Sequence, residues 1–378
     1  MNNNRHMALS GHRIEIDYIV TGDEKQAREK MAHISVEQTI EFPADLVSQQ
    51  WIKEEIVGRL EQVTPMADGR FAARVSYAAE VAGGELGQLL NLIYGNISLV
   101  PGVEVNDVQL PSALLNNFFG PRFGMAGLRS LLGVAERPLL CTALKPMGLG
   151  AQELGQMAYR FARGGIDIIK DDHGLADQPF CPFHDRVARA SEAVAKANTE
   201  TGKRCLYAPM VSGPDDSVWE RIRFAKSMGA GALVVAPGLA GFDLMARIAS
   251  SPEIDLPLLA HPSFLGGPLV ARPRGISHGL LLGTLMRLAG ADCTIFPSFG
   301  GRFSFTPDEC TEIAYACRRP LGHIKAIFPG PAGGMSVERA AELTDFYGRD
   351  VVLLVGGDLH RRSPDLTANA LDLLRSVL

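Results

Sequence analysis

Gly164-Gly165-Ile166-Asp167-Ile168-Ile169-Lys170-Asp171-Asp172-His173 opens on a glycine pair, continues as β-branched residues suited to a buried strand, and ends in four consecutive ionisable side chains. The strands of a parallel sheet are covered on both faces and read as apolar runs. Adjacent charges at the end of such a run repel one another and lose hydration. The ending therefore points to a bound metal or an anionic substrate, and an ordinary charged strand end is the alternative reading of the same residues.

This stretch, with its strand at Ile166 to Lys170, is the second of eight. The others are Leu139 to Leu144, Cys205 to Met210, Ala232 to Pro237, Leu256 to His261, Asp292 to Ser298, His323 to Pro329 and Asp350 to Gly356. Successive starts lie about 25 to 40 residues apart, the spacing of a strand, a crossover helix and two loops. Eight such units predict a (β/α)8 TIM barrel, which takes about 250 residues; an open doubly wound sheet does not require so even a count. Before residue 135 the pattern differs. Arg13 to Val20 and Phe71 to Ala78 read as strands, and Lys25 to His33 and Gly84 to Ile93 as helices. The expected fold is α/β: a smaller α+β, ferredoxin-like domain with a mostly antiparallel sheet at 1–135, followed by a C-terminal barrel domain at 136–378.

Composition narrows the functional classes. The 378 residues are 46% hydrophobic and 21% charged, with a formal net charge of −5 and 37 Lys plus Arg. No run of basic residues offers a track for a nucleic-acid backbone, so nucleic acid is not an expected partner. No apolar run reaches the roughly 18 residues of a membrane span, and no apolar stretch follows a basic leader, so a cytoplasmic protein is expected. The six cysteines lie apart, without a Cys-x-x-Cys pair, and read as small buried hydrophobes in a reducing compartment.

A barrel places its active site at the C-terminal ends of its strands. Lys145 follows the first strand, Lys170 to His173 the second, and His261 closes the fifth. Lys145 reads as a general base, as a cation beside a developing enolate, or as a rim lysine in a salt bridge. Asp172 and His173 offer an oxygen and a nitrogen ligand, which two adjacent residues do not by themselves make into a metal site. His261 reads as a proton shuttle, an anion contact or a loop hydrogen bond; His278 reads as structural. The turns holding Gly333-Gly334 and Gly356-Gly357 follow the last two strands, where backbone amides cradle phosphate in such barrels. Arg302 follows Gly300-Gly301 on a loop suited to closing over an anion.

With these residues in place, Gly164 to Asp172 resembles the metal-site motif of the ribulose-1,5-bisphosphate carboxylase large-chain family, Gly-Gly-x-Asp-x-x-Lys-Asp-Asp-Glu. Lys145-Pro146 resembles that family's first catalytic lysine motif, and Gly95-Asn96 its N-domain asparagine. Pro121-x-Phe-Gly and the stretch from Leu131 to Pro138 resemble its interdomain segment. The resemblance spans nearly the whole chain. It implies Mg2+ held by a carbamylated Lys170 together with Asp172 and His173, with another divalent metal or none as the alternatives that His173 leaves open. It also implies a phosphorylated small-molecule substrate, and a homodimer, or a higher homo-oligomer built from dimers, in which Asn96 reaches the neighbouring subunit's site.

The departures point away from carboxylation. His173 stands where the family has a metal-binding glutamate, and Met147 where it has a second lysine. Pro262 and Leu265 replace an arginine and a histidine, Ala332 replaces a serine, and the loop lysine is absent, with Arg302 nearest. The chain is thus identified as a member of the non-carboxylating, type IV branch. Within that branch the expectation is a decarboxylase acting through a metal-stabilised enolate on a phosphorylated 3-oxo sugar acid, of the 3-oxo-isoapionate 4-phosphate type, because a β-keto acid already carries its leaving group. The alternatives are an enolase or isomerase of a phosphorylated keto sugar, such as diketo-methylthiopentyl phosphate or methylthioribulose phosphate, and a non-catalytic metabolite-binding regulatory protein.

Overall fold

A computed structural model describes residues 9–270 and 275–378. The chain divides into two compact units, the first running to Phe118 and including Leu265–Leu281, the second comprising Phe119–Phe264 and Leu282–Leu378. The change of unit thus comes before residue 135, and the segment after the fifth barrel strand returns to the first unit.

In the first unit, strands Arg13–Val20, Arg59–Pro65, Phe71–Ala78 and Val103–Gln109 form an antiparallel sheet, extended by a short parallel strand at Gly275–Ile276. Arg13–Val20 alternates strictly between partly exposed and buried positions, as a strand with one face on a core must. Ile14, Ile16, Tyr18 and Val20 lie on the buried side, where the Tyr18 and Tyr77 hydroxyls share a hydrogen bond of 3.0 Å. The helix Glu24–Glu37 begins on a capping box between Asp23 and Gln26, which satisfies two of the orphan donors at a helix start.

The second unit carries eight parallel barrel strands: Leu139–Leu144, Ile168–Asp171, Leu206–Ala208, Leu233–Val235, Leu258–Ala260, Cys293–Pro297, Phe328–Ala332 and Val352–Leu354. Hydrogen-bonded ladders order the eighth, first, second and third strands in one run and the fourth, fifth, sixth and seventh in another. A parallel bridge between Met210 and Val234 joins the runs at one seam, and the seventh and eighth strands adjoin at the other. The (β/α)8 barrel is therefore the architecture of this unit. Its interior is packed by small and medium apolar side chains, among them Cys141, Ile168, Ala208, Val234, Leu259, Cys293, Ile295, Phe328 and Val352. Each large aliphatic side chain buried there contributes about 1.5–3 kcal/mol. All six cysteines are buried and unbridged.

The seventh strand departs from the expected His323 to Pro329. It runs from Phe328 to Ala332, and Pro329 and Pro331 lie within it opposite Thr294 and Phe296. The carbonyls of Ile324 and Lys325 are taken instead by the guanidinium of Arg287, which is almost wholly buried and also bonds the carbonyls of Ala316 and Arg319. These carbonyls are turned to Arg287, and the ladder with the sixth strand begins only at Phe328, opposite Cys293. Gly330 consequently belongs to the strand, and the turn begins at Gly333.

Candidate active site

Successive side chains of a strand point to opposite faces, and this alternation sorts the charged run at the end of the second strand. Asp171 points away from Lys170 and Asp172. Its carboxylate is fully buried and accepts from Arg186 Nε at 3.0 Å, the Tyr207 hydroxyl at 2.8 Å and the Met210 amide at 3.1 Å. Burial works against the Arg186 guanidinium, yet the Asp171 carboxylate holds its pKa above the ordinary arginine value. This residue is a structural anchor for the strand end, and alternation along the strand accounts for its facing away from Lys170 and Asp172.

Lys170 is 2% exposed, and its ammonium donates to the Asp171 carbonyl at 2.6 Å. Burial lowers its pKa against the pull of the Asp172 and Asp171 carboxylates. Lys145 reaches across from the first strand, its Nζ 3.0 Å from Asp172 Oδ1 and its stem beside Gly356. Burial tends to raise the Asp172 carboxyl, but His173, whose Nδ1 lies 3.6 Å away, and Lys145 outweigh it and hold the group well below the usual carboxylate range. A partly exposed pair such as Lys145–Asp172 contributes about 0–1 kcal/mol. Stability is therefore a weak reason for this concentration of charge.

His261, at the end of the fifth strand, stacks on His173 with ring centroids 4.3 Å apart and planes 12° from parallel. Burial, followed by the nearby Lys170, lowers its pKa to about 2, so the ring is neutral at physiological pH. Its Nδ1 lies 2.8 Å from Ser263 Oγ and accepts from the Ser263 amide at 3.3 Å. Nothing in the residue spacing singled out Ser263.

Lys145, Lys170, Asp172, His173 and His261 thus share one rim of the barrel, with Gly356 beside Lys145. Gly357 is exposed and begins the short helix Gly357–Arg362. Arg302 is exposed on the loop after the sixth strand, and its amide donates to the Gly333 carbonyl at 2.6 Å. That loop and the turn after the seventh strand touch through backbone: a Cβ on Gly301 would lie 2.4 Å from Gly333 O, and one on Gly334 would lie 2.9 Å from Arg302 Cγ. Arg302, Gly333 and Gly334 therefore form one cluster. The Asp358 carboxylate accepts from the Val337 amide at 3.0 Å, tying the segment after the seventh strand to the one after the eighth. Asn96 lies in the first unit, where its side chain donates to Glu37 at 2.9 Å. His278 is buried in the first unit.

Among the described residues no three of His, Cys, Asp and Glu converge as a metal site. A hard divalent cation fits the rim once Lys170 is carbamylated, since Asp172 and the carbamate then supply anionic oxygens beside the His173 imidazole. The burial that favours the neutral amine of Lys170 favours the form that reacts with carbon dioxide.

The family profile of the ribulose bisphosphate carboxylase large chain, catalytic domain, matches residues 124–370. Ribulose bisphosphate carboxylase-like protein 1 of Rhodopseudomonas palustris is 43% identical over 95% of this chain and 95% of its own length. The 5-methylthioribulose-1-phosphate isomerase of Rhodospirillum rubrum is 37% identical over 97% and 96%. A 2,3-diketo-5-methylthiopentyl-1-phosphate enolase of Bacillus pumilus is 33% identical over 91% and 86%. Among solved structures, a Rubisco-like protein from Rhodopseudomonas palustris superposes with a TM-score of 0.86 at 40% identity, covering 97% of both chains. The dimeric archaeal Rubisco of Hyperthermus butylicus gives 0.85 at 26%, covering 96% of this chain and 89% of its own. No described helix is long and apolar enough to cross a membrane. With a matching barrel, the strand-end lysines and relatives alike over nearly their whole length, the chain belongs to the ribulose bisphosphate carboxylase large-chain family, in its non-carboxylating, type IV branch.

Proposed function

We propose that this protein is an enolising isomerase of a phosphorylated keto sugar, with 5-methylthioribulose 1-phosphate as the first substrate to test. The observation that carries the reading is the shared rim of Lys145, Lys170 and His261, in a chain 37% identical over 97% of its length to an isomerase named for that substrate. Isomerisation removes a proton beside a carbonyl and returns it to a neighbouring carbon, so it needs a base, a donor to the carbonyl oxygen and a cation for the enolate.

Lys170 is the base, through its amine nitrogen or, when carbamylated, a carbamate oxygen. The neutral imidazole of His261 donates a hydrogen bond to the carbonyl oxygen, and the Lys145 ammonium faces the charge that develops there and protonates the neighbouring carbon. Exchange with solvent then reprotonates Lys145 and takes the abstracted proton from Lys170. Magnesium held by Asp172, His173 and carbamylated Lys170 supplies Lewis-acid polarisation when bound. Arg302 and the amides of Gly333, Gly334, Gly356 and Gly357 take the phosphate. The dimer implied by the resemblance, with Asn96 supplied by the partner copy, belongs to the same proposal.

The decarboxylation expected from the sequence uses the same enolate, but none of the relatives described above is named for it, and the isomerase reading takes precedence. The test is incubation with 5-methylthioribulose 1-phosphate, magnesium and bicarbonate in deuterated water, followed by NMR. Deuterium uptake at carbon beside the carbonyl with formation of an isomer supports the reading. Neither uptake nor isomer overturns it. Carbon dioxide released from a phosphorylated 3-oxo sugar acid restores the decarboxylase, enolisation of a diketo phosphate favours the enolase, and binding without exchange favours the non-catalytic protein.

A further inference from the structure

We propose that Ser263 is a positioning residue that locks His261 in the Nε2–H form, so that the ring presents a hydrogen-bond donor to substrate; the consequence for turnover rests on the function proposed above. The Ser263 amide can only donate, and it points at His261 Nδ1 from 3.3 Å. A proton on Nδ1 would oppose that N–H, which disfavours the Nδ1–H tautomer, but a contact of 3.3 Å needs the support of the hydroxyl to hold the ring in one form. The Ser263 hydroxyl, 2.8 Å from the same nitrogen, is then also set to donate. The only ring proton is left on Nε2, which has no hydrogen-bond partner among the described residues.

Two contacts together hold the ring. Stacking on His173 at 4.3 Å and 12° sets the plane of the imidazole, while Ser263 sets its rotation within that plane. The chain turns sharply just beyond, where Phe264 adopts φ +71° with its side chain 82% exposed. A bulky residue rarely takes this left-handed conformation, and no burial of the Phe264 side chain compensates for it. The turn directs the Ser263 amide and hydroxyl back to the ring two residues earlier. A second partner on one imidazole nitrogen commonly fixes which nitrogen faces the chemistry.

The experiment is 15N NMR of the histidine ring nitrogens at neutral pH without substrate, with the His261 signals assigned by loss in His261→Gln. Wild type is expected to show protonated Nε2 and unprotonated Nδ1. Ser263→Ala keeps the amide contact but loses the hydroxyl, and is expected to populate the other tautomer and to lower kcat about 10- to 100-fold with KM little changed. Ser263→Thr, which keeps the hydroxyl, is expected to restore both signals and rate. An Nδ1–H signal in wild type, or an unchanged tautomer in Ser263→Ala, overturns the proposal. If the tautomer responds as expected while wild type does not turn over the keto sugar, the positioning role stands and the isomerase reading falls.

Discussion

Lys145 Nζ lies 3.0 Å from Asp172 Oδ1, so the cation ending the first barrel strand and the carboxylate ending the second are ion-paired. The pair is partly exposed, and its contribution to stability is small, about 0–1 kcal/mol. Lys145→Ala is therefore expected to melt within a few degrees of wild type and to lose about 10²- to 10⁴-fold in turnover. Calorimetry alongside the deuterium-exchange assay checks this; unchanged exchange would remove Lys145 from the mechanism.

The Asp171–Arg186 pair predicts the opposite balance. Both side chains are completely buried, and removing one partner of a buried pair leaves an uncompensated charge, which costs about 3–5 kcal/mol. Arg186→Met should lower the denaturation midpoint strongly. Replacing both residues by apolar ones should recover part of the loss, although the Tyr207 hydroxyl and the Met210 amide then lack their acceptor.

Asp292 gives a pH dependence. Burial raises its carboxyl from 3.8 to about 6, although the amides of Leu258, Gly124 and Phe123 each donate to it and pull the other way. The folded chain then binds this proton more tightly than the unfolded chain. The stabilisation, about 3 kcal/mol, is fully present below pH of about 4 and is lost as pH rises through about 6. Asp292→Asn should be less stable than wild type throughout, because its NH2 group meets an amide donor, and should lack this slope between those limits. Urea midpoints of the two proteins across that window measure the difference.

Gly301 tests the contact between the sixth and seventh strand ends. A Cβ there would meet Gly333 O at 2.4 Å, closer than backbone atoms tolerate. Gly301→Ala must push the Arg302 loop away from Gly333 and Gly334, at about 1–3 kcal/mol by the usual magnitude of overpacking. Weaker binding of inorganic phosphate, measured by calorimetry, is the expected outcome; unchanged affinity would place phosphate elsewhere.

Lys170 is buried, with its pKa lowered. Bicarbonate with magnesium is expected to raise wild-type activity and to yield a trappable carbamate by mass spectrometry. Lys170→Ala should show neither response. Activity in wild type that ignores bicarbonate would assign Lys170 the amine role alone.

The barrel was legible because its signal is local. The run from Gly164 to His173 and its seven companions carry the apolar continuity that only strands covered on both faces require. The seventh strand was misplaced because Ile324, Ala326 and Ile327 ahead of Phe328 also suit a strand, and nothing in their spacing shows that Arg287 takes the carbonyls of Ile324 and Lys325. Lys145, Lys170, Asp172, His173 and His261 were legible as strand-end residues, since a parallel barrel gathers such ends on one rim.

Pairing within that rim was not legible. Alternation along a strand separates Asp171 from Asp172, but which partner each meets depends on helices and strands distant in the chain: Arg186 and Tyr207 for one, Lys145 for the other. The neutral state of His261 follows from burial and from neighbouring positive charge, and its tautomer from a turn two residues on. Strand periodicity is set by residues next to one another. Ionisation and hydrogen-bond direction are set by what surrounds a group in space, and for this chain that surrounding is assembled only when the eight strands close.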